Sequence, residues 1–375
     1  MRMKPAATMS ATFFAMSRLD GANPGALRRD ASARCIIQGW RQLTSPRGSR
    51  RAGPGAGTLI ACSGGADSSA LVLALAPSNR AAPIVVAHVL HDLRPRDQVL
   101  ADLNAVQALA LRVGAKFVQA EVRVRDSGGN LEAAARTARY AALLRLAKRE
   151  KLRFIATAHH ADDQLETILM ALMRGAGPRG LGGIAISRPL EYLSIPAPSD
   201  DVCLIRPMIE AGVERADTER ICQLAGWAWQ ADATNADQTR LRAAVRLQIV
   251  PLLKALRPTV AQRAVESARL LHFAAAMMRM RAETLWRQGR CTRGPAIWPR
   301  SALRRQPAVL LGELIRIASR ELAANVRRDG LNARAIAPVV RAIRDDSTEP
   351  RHFTLSAINA ELTAKSVTIS ARSIA

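Results

Sequence analysis

Thr58-Leu-Ile-Ala-Cys-Ser-Gly-Gly-Ala-Asp-Ser-Ser-Ala-Leu-Val-Leu-Ala-Leu75 decides the fold. Thr58 to Cys62 is a short apolar run, the length of one buried parallel strand. Ser63-Gly64-Gly65-Ala66-Asp67-Ser68 is a turn of small residues, and beyond Asp67 the apolar positions recur at helical spacing. Strand, Gly-rich turn and helix N-terminus together form an anion site. Glycine lets backbone N–H groups converge on phosphate oxygens, and the helix dipole adds positive potential. Ser63 and Ser68 supply hydroxyl donors, and Asp67 is positioned to hold Mg²⁺ against the phosphates. No Gly-Lys-Ser/Thr occurs in the chain, and no GxGxxG stands at this turn. Two glycines alone would fit an ordinary turn; two serines and an aspartate beside them favour a phosphate site.

Downstream, strand-like and helix-like runs alternate. Pro83–Leu90, Lys116–Val124 and Arg153–Thr157 read as strands; residues 97–113, 130–150 and 161–174 read as helices. Repeated units of this length predict an α/β class: an open, mostly parallel, Rossmann-like sheet with helices on both faces. Ligands in such sheets sit beyond the carboxyl ends of the strands, and each further motif falls at one of those ends. After the second strand comes His88-Val-Leu-His91-Asp-Leu-Arg94, and the third helix opens Asn130-Leu-Glu-Ala-Ala-Ala-Arg136-Thr-Ala-Arg139-Tyr140. His88 lines the nucleotide pocket in this reading, with Arg136 or Arg139 near phosphate charge.

The densest end is Thr157-Ala-His159-His160-Ala-Asp162-Asp163-Gln-Leu-Glu166-Thr167. One aspartate suits a helix first turn on electrostatic grounds alone. Spacing puts Asp163 and Glu166 on one face, a carboxylate pair fit for a metal or a substrate ammonium. HExxH is absent, which excludes a zinc protease. A basic Gly-rich loop, Arg174–Gly183, follows, and then a strand ending Ile205-Arg206-Pro207. Further on, Arg242 and Arg246 share a helix face suited to RNA phosphates.

The chain carries 55 Lys and Arg against 31 Asp and Glu, a net charge of +24. That excess points to a polyanionic partner, although only six of the basic residues are Lys and GC-rich coding also inflates Arg. No apolar run reaches the roughly 18–20 residues of a membrane span. Five scattered cysteines without CxxC exclude a disulfide framework or a cysteine metal site and fit a reducing cytoplasm. Residues 1–57 hold ten basic residues against two acidic ones and end in a Pro/Gly/Ser/Arg linker. The expectation is a basic, disordered extension, with one helix over 26–43; its composition also resembles an organellar transit peptide. Residues 258–290 read as an amphipathic helix pair with a core Met stripe, 296–345 as further helix, and 351–355 with 366–369 as a closing hairpin. The expected domains are therefore 58–255, which carries the motifs, and 256–375, helical and basic.

Ser-Gly-Gly-Ala-Asp-Ser resembles the pyrophosphate loop of the N-type ATP pyrophosphatases. The full series (63–68, 88–94, 130–140, 158–167, 174–183 and 205–207) resembles tRNA(Ile)-lysidine synthase over about residues 58–255. That resemblance implies adenylation by ATP of the C2 oxygen of cytidine 34 in the CAU anticodon of tRNA(Ile). The ε-amine of L-lysine then displaces AMP to give lysidine. It further implies that Ser63, Gly64, Gly65, Ala66, Asp67 and Ser68 bind ATP and Mg²⁺, with His88, Arg136 and Arg139 beside the nucleotide. Asp163 and Glu166 would orient lysine, Asp163 doubling as base or metal ligand, and Arg206 would lie near the lysine site. A homodimer is compatible with it. The usual Arg-Asn-x-x-Arg before Leu-Pro is here Arg242-Ala243-Ala-Val-Arg246 before Val250-Pro251. The alternatives are another tRNA modifier with this loop, such as a thiolase, or a non-catalytic ATP- and RNA-binding module. The latter would have lost the acids that this chain retains.

Overall fold

A computed structural model describes residues 24–45, 55–78, 82–92, 95–124, 131–190, 202–230, 241–289, 294–322, 331–355 and 358–372. Arg94, Asn130, the break at 191–201 and most of the 45–57 linker lie outside the described residues. The chain divides into two compact units, residues 1–174 with 183–267 and residues 175–182 with 268–375.

The first unit opens with α1 (Pro24–Arg29) and α2 (Ala31–Thr44). Asp30 caps α2 by accepting from the Ala33 N–H at 2.9 Å. Ile36 and Trp40 are fully buried, and the Trp40 indole donates to Thr58 Oγ1 at 2.9 Å. The helix expected over 26–43 is thus present as α2, and its buried face packs on the core of the first unit. Then come β1 (Thr58–Ala61), α3 (Ala66–Leu75), β2 (Ile84–His91), α4 (Arg96–Arg112), β3 (Lys116–Val122), α5 (Leu131–Arg149), β4 (Phe154–Ala156) and α6 (Ala161–Met173). Past α7 (Pro178–Leu181), a single turn that falls in the second unit, the first unit resumes with β5 (Ser187–Pro189), β6 (Cys203–Ile205), α8 (Pro207–Glu210) and α9 (Arg215–Leu224). A helical stretch completes this unit: α10 (Leu241–Ala244), a π turn at Val245–Ile249, and α11 (Val250–Leu256).

The sheet order is β3-β2-β1-β4-β6-β5. All neighbours are parallel except β5, which runs antiparallel to β6 at the edge. Alternating strand residues feed two cores, as a doubly covered sheet requires. Leu59, Val85 and Ile155 pack with Leu143 and Leu144 of α5. Ile60, Ile84, Val86 and Ala156 face the other way, onto α2, α3 and α4. The predicted α/β class and its strands are present, with ends shifted by a residue or two.

The boundary between the units falls within α12 (Val260–Gly289), one continuous 30-residue helix where the sequence reading expects a pair. Residues 260–288 contain neither Pro nor Gly to break it. The second unit continues with β7 (Ala296–Pro299), α13 (Arg300–Arg304), α14 (Ala308–Leu322), α15 (Ala333–Arg344), β8 (Arg351–Leu355), β9 (Ile358–Leu362) and β10 (Ser366–Ala371). Its strands form a four-stranded antiparallel sheet in the order β7-β10-β9-β8. The expected hairpin of 351–355 with 366–369 is thus corrected: β9 lies between them, and Ile358, Ala360 and Leu362 point inward. Leu311, Leu314 and Ile315 of α14 and Val339 and Ile343 of α15 close this core.

Candidate active site

A cavity of about 950 Å³ opens beyond the carboxyl ends of β1, β2 and β4. Its walls include Ser63, Asp67, Ser68, His88, Arg136, Arg139, His159, Asp163, Arg242 and Arg246.

At one end of the cavity, β1 turns into α3. Gly64 takes φ +91°, a conformation that side-chain-bearing residues rarely adopt. Gly65 is the N-cap and offers no side chain to the first turn, so the helix amides there have no side-chain cap. The Ser68 hydroxyl ties the loop internally. It donates to Gly65 O at 3.1 Å and accepts from the Ser63 N–H at 3.1 Å, with Ser63 Oγ 3.2 Å away. His88 donates from Nδ1 to Cys62 O at 2.8 Å, which fixes its ring at the end of β1. Asp67, in the first turn of α3, accepts from Thr218 Oγ1 of α9 at 2.6 Å. Burial pushes the Asp67 carboxyl up, but hydrogen bonding and charge from His160, with Thr218, outweigh it and hold the group below the usual carboxylate range.

The other end is the start of α6. Asp162 and Asp163 sit in its first turn, where the dipole favours carboxylates, yet their surroundings differ. Asp162 Oδ2 accepts from the Arg215 N–H at 2.9 Å, and Lys254 Nζ lies 2.5 Å from Oδ1 and 2.9 Å from Glu214 Oε2. That arrangement braces α6 against α9 and α11. Asp163 faces the cavity, and its Oδ2 accepts from the His160 N–H at 3.1 Å. Burial raises its pKa, but His160 and the neighbouring cations bring it down to about 2. His160 is buried with Nε2 3.6 Å from both Asp67 Oδ2 and Asp163 Oδ2. Burial alone would neutralise the ring; Asp163 and Asp67 raise its pKa to about 9, so a protonated imidazole bridges the phosphate loop and the acid pair. His159, by contrast, is pushed down by burial and stays neutral, its Nδ1 3.0 Å from Thr157 Oγ1.

Asp163 and Glu166 do lie side by side, and both are already engaged. Arg242 donates from Nε to Glu166 Oε2 at 2.9 Å and from an Nη to Asp163 Oδ1 at 2.9 Å. Arg246 donates to Glu166 Oε1 at 2.6 Å and Oε2 at 3.1 Å, with an Nη 3.5 Å from Asp163 Oδ1. The expectation that these arginines meet RNA phosphates is corrected to this extent: both guanidiniums turn onto the acid pair, and they bury Glu166 completely. Arg206 is likewise buried and stands behind the wall, donating to Ala185 O and hydrogen-bonded to Tyr140. Burial lowers its pKa to about 10, so it remains charged. Arg136 stacks 5.1 Å over the Tyr140 ring and lines the cavity with Arg139.

The sequence reading thus omits Thr218 and does not assign His160 a role. No local signal marks Thr218, which reaches Asp67 across 151 residues. His160 was visible as the residue capping a helix that opens with two acids. Among the described residues, no three His, Cys, Asp or Glu side chains gather into a closed metal site. Mg²⁺ asks for less, since one or two carboxylates and substrate phosphates suffice. Asp67 and Asp163 line one cavity with Ser63 and Ser68, and they are the carboxylates that would hold such an ion. Among the described residues, no helix is long and apolar enough to cross a membrane.

A PP-loop domain family model matches residues 41–253. The tRNA(Ile)-lysidine synthase of Alkalilimnicola ehrlichii is 39% identical over 58% of this chain and 46% of its own. That of Salinispora arenicola is 40% identical over 59% and 62%, and that of Methylobacterium nodulans 36% identical over 63% and 66%. The chain therefore spans about half to two thirds of the length of these relatives. Among solved structures, a U34-tRNA thiolase from Methanococcus maripaludis aligns with a TM-score of 0.49 and 15% identity, covering 66% of this chain and 80% of that one.

Proposed function

We propose that this chain, which belongs to the PP-loop family of ATP-binding domains, ligates L-lysine to C2 of cytidine 34 in the CAU anticodon of a tRNA(Ile) at the expense of ATP. The single observation that carries the reading is the pairing, on one cavity, of a phosphate loop with a buried acid pair that already holds two long basic side chains. The named relatives support the same substrate.

Each end then has its task. The turn 63–68 and the α3 amides receive the phosphates, and Arg136 and Arg139 add positive charge on the far wall. Asp67 and Asp163 would hold Mg²⁺, which neutralises charge on the departing pyrophosphate. The C2 oxygen of the base attacks the α-phosphorus, breaking its bond to pyrophosphate. The lysine ε-ammonium gives one proton to solvent, the free amine then attacks C2, and the C2–O bond breaks with release of AMP. Asp163, with a pKa near 2, anchors an ammonium and is too acidic to take its proton. His160 fixes Asp67 and Asp163 relative to one another, so nucleotide and amine meet in one geometry.

The test is incubation of the full chain with ATP, Mg²⁺, labelled lysine and a CAU-bearing isoleucine tRNA transcript. Acid-precipitable label that is lost when C34 is changed is the expected result. ATP conversion to AMP and pyrophosphate without label would mean that the nucleophile is wrong. Neither product from folded protein would overturn the ligase reading.

A further inference from the structure

The acid pair carries no net charge as it stands, because two guanidiniums face two carboxylates. A lysine ammonium added to that set would place three cations against two anions in a buried pocket, an arrangement that low-dielectric surroundings penalise strongly. One guanidinium must therefore leave before an amine can enter. The two are held unequally. Arg246 grips both oxygens of Glu166 as a fork and is 24% exposed, whereas Arg242 spans one oxygen of each acid and is 45% exposed. Arg242 is thus the more easily displaced. It also lines the same cavity as Ser63 and Ser68, where polyphosphate charge would arrive.

The geometry points to Arg242 as an internal occupant of the ammonium site, released when a polyphosphate enters the cavity, so that nucleotide binds first and amine second. This rests on the lysine reading above. Arg242 acts as a positioning residue: with nucleotide absent it closes Asp163 and Glu166 to free amino acid, and with nucleotide present its charge moves to the phosphates. Only a ligand that attracts Arg242 toward the loop shifts this equilibrium. A neutral nucleoside would leave it in place.

The experiment is equilibrium dialysis of labelled L-lysine against the full chain, with and without Mg²⁺ and α,β-methylene-ATP, for wild type and Arg242→Gln. The wild type is expected to bind lysine about tenfold or more tighter with the analogue than without it. R242Q is expected to bind lysine alone about as well as the wild type does with the analogue, and adenosine is expected to have no effect. Equal lysine affinity of the wild type with and without the analogue would overturn the proposal. So would an R242Q protein that binds the analogue yet still needs it to take up lysine. R242K, which keeps the charge but not the two-pronged contact, guards against misfolding of the first variant; its dependence on nucleotide should fall between the two. Lysine incorporation into tRNA by the wild type, measured alongside, separates the failures. Incorporation without the expected binding pattern sinks the Arg242 role alone, whereas no incorporation sinks the lysine reading beneath it.

Discussion

The two ends of the cavity are built on opposite plans. At the α3 end the backbone sets the geometry: a positive-φ glycine, an N-cap without a side chain and one hydroxyl spanning the loop leave the first helix amides without a side-chain cap. At the α6 end the side chains do it, and they arrive paired, with Asp163 and Glu166 covered by Arg242 and Arg246. A backbone site binds by shape and needs small residues in a fixed local order. A side-chain site binds by charge and draws its partners from anywhere in the chain. The first kind is written in consecutive letters, whereas the second is only half written there.

The sharpest way to break the comparison is at the covered end. Glu166→Gln should lower lysine incorporation by about a thousandfold while changing nucleotide affinity only a few-fold, because the amine loses a charged anchor and the phosphates do not. Incorporation assays set against ATP-analogue binding check this, and an equal loss in both would merge the two ends into one site. Asp67→Asn should act the other way, reducing tRNA-dependent pyrophosphate release by roughly a hundredfold, with lysine binding little affected in the R242Q background. Asp162→Asn sharpens the contrast inside a single turn. It loosens the Lys254 brace at a cost of about 1–2 kcal/mol in chemical denaturation, yet should leave turnover within a few-fold, since Asp162 faces α9 and α11 and not the cavity.

The smallest effect concerns the floor of the phosphate end. Cys222 packs under α3 with its Sγ 3.4 Å from Ala66 O, and burial pushes its pKa up to about 12; burial also pushes the Cys62 thiol up. Below about pH 9 Cys222 carries roughly a thousandfold less thiolate than a thiol of pKa 9, and its reactivity should rise only as strongly alkaline pH is approached. Peptide mapping after iodoacetamide at pH 8 should find exposed Cys35 modified and Cys62 and Cys222 intact. Rapid labelling of Cys222 in folded protein would show that the floor opens.

What the sequence makes legible follows the same division. The turn 63–68, the sheet strands and the acids at 163 and 166 are local, and their spacing alone announces them. Pairing of Glu166 with Arg242 and Arg246 spans 76 and 80 residues, and nothing in the helix 241–256 marks which charge its arginines will meet. A basic residue at helical spacing looks the same whether it faces RNA or a carboxylate. Arg206 is a milder case: its place after β6 was readable, but not that Tyr140 and Ala185 would hold it behind the wall. In the second unit, Ile358-Asn-Ala-Glu-Leu362 alternates as a strand should, but its five residues are too few to stand out between two stronger runs.

Trp40 carries one further consequence, for where the chain can be cut. Its indole fills space between α2 and the first strand so tightly that a methyl group on Gly55 would overlap the ring. A chain cut after Trp40 would keep an intact motif on a sheet stripped of one wall. Ile36 and Trp40 would be missing from a surface that then faces water. Such a truncated chain should be less soluble than the full one, and a negative result from it would say nothing about the proposed activity.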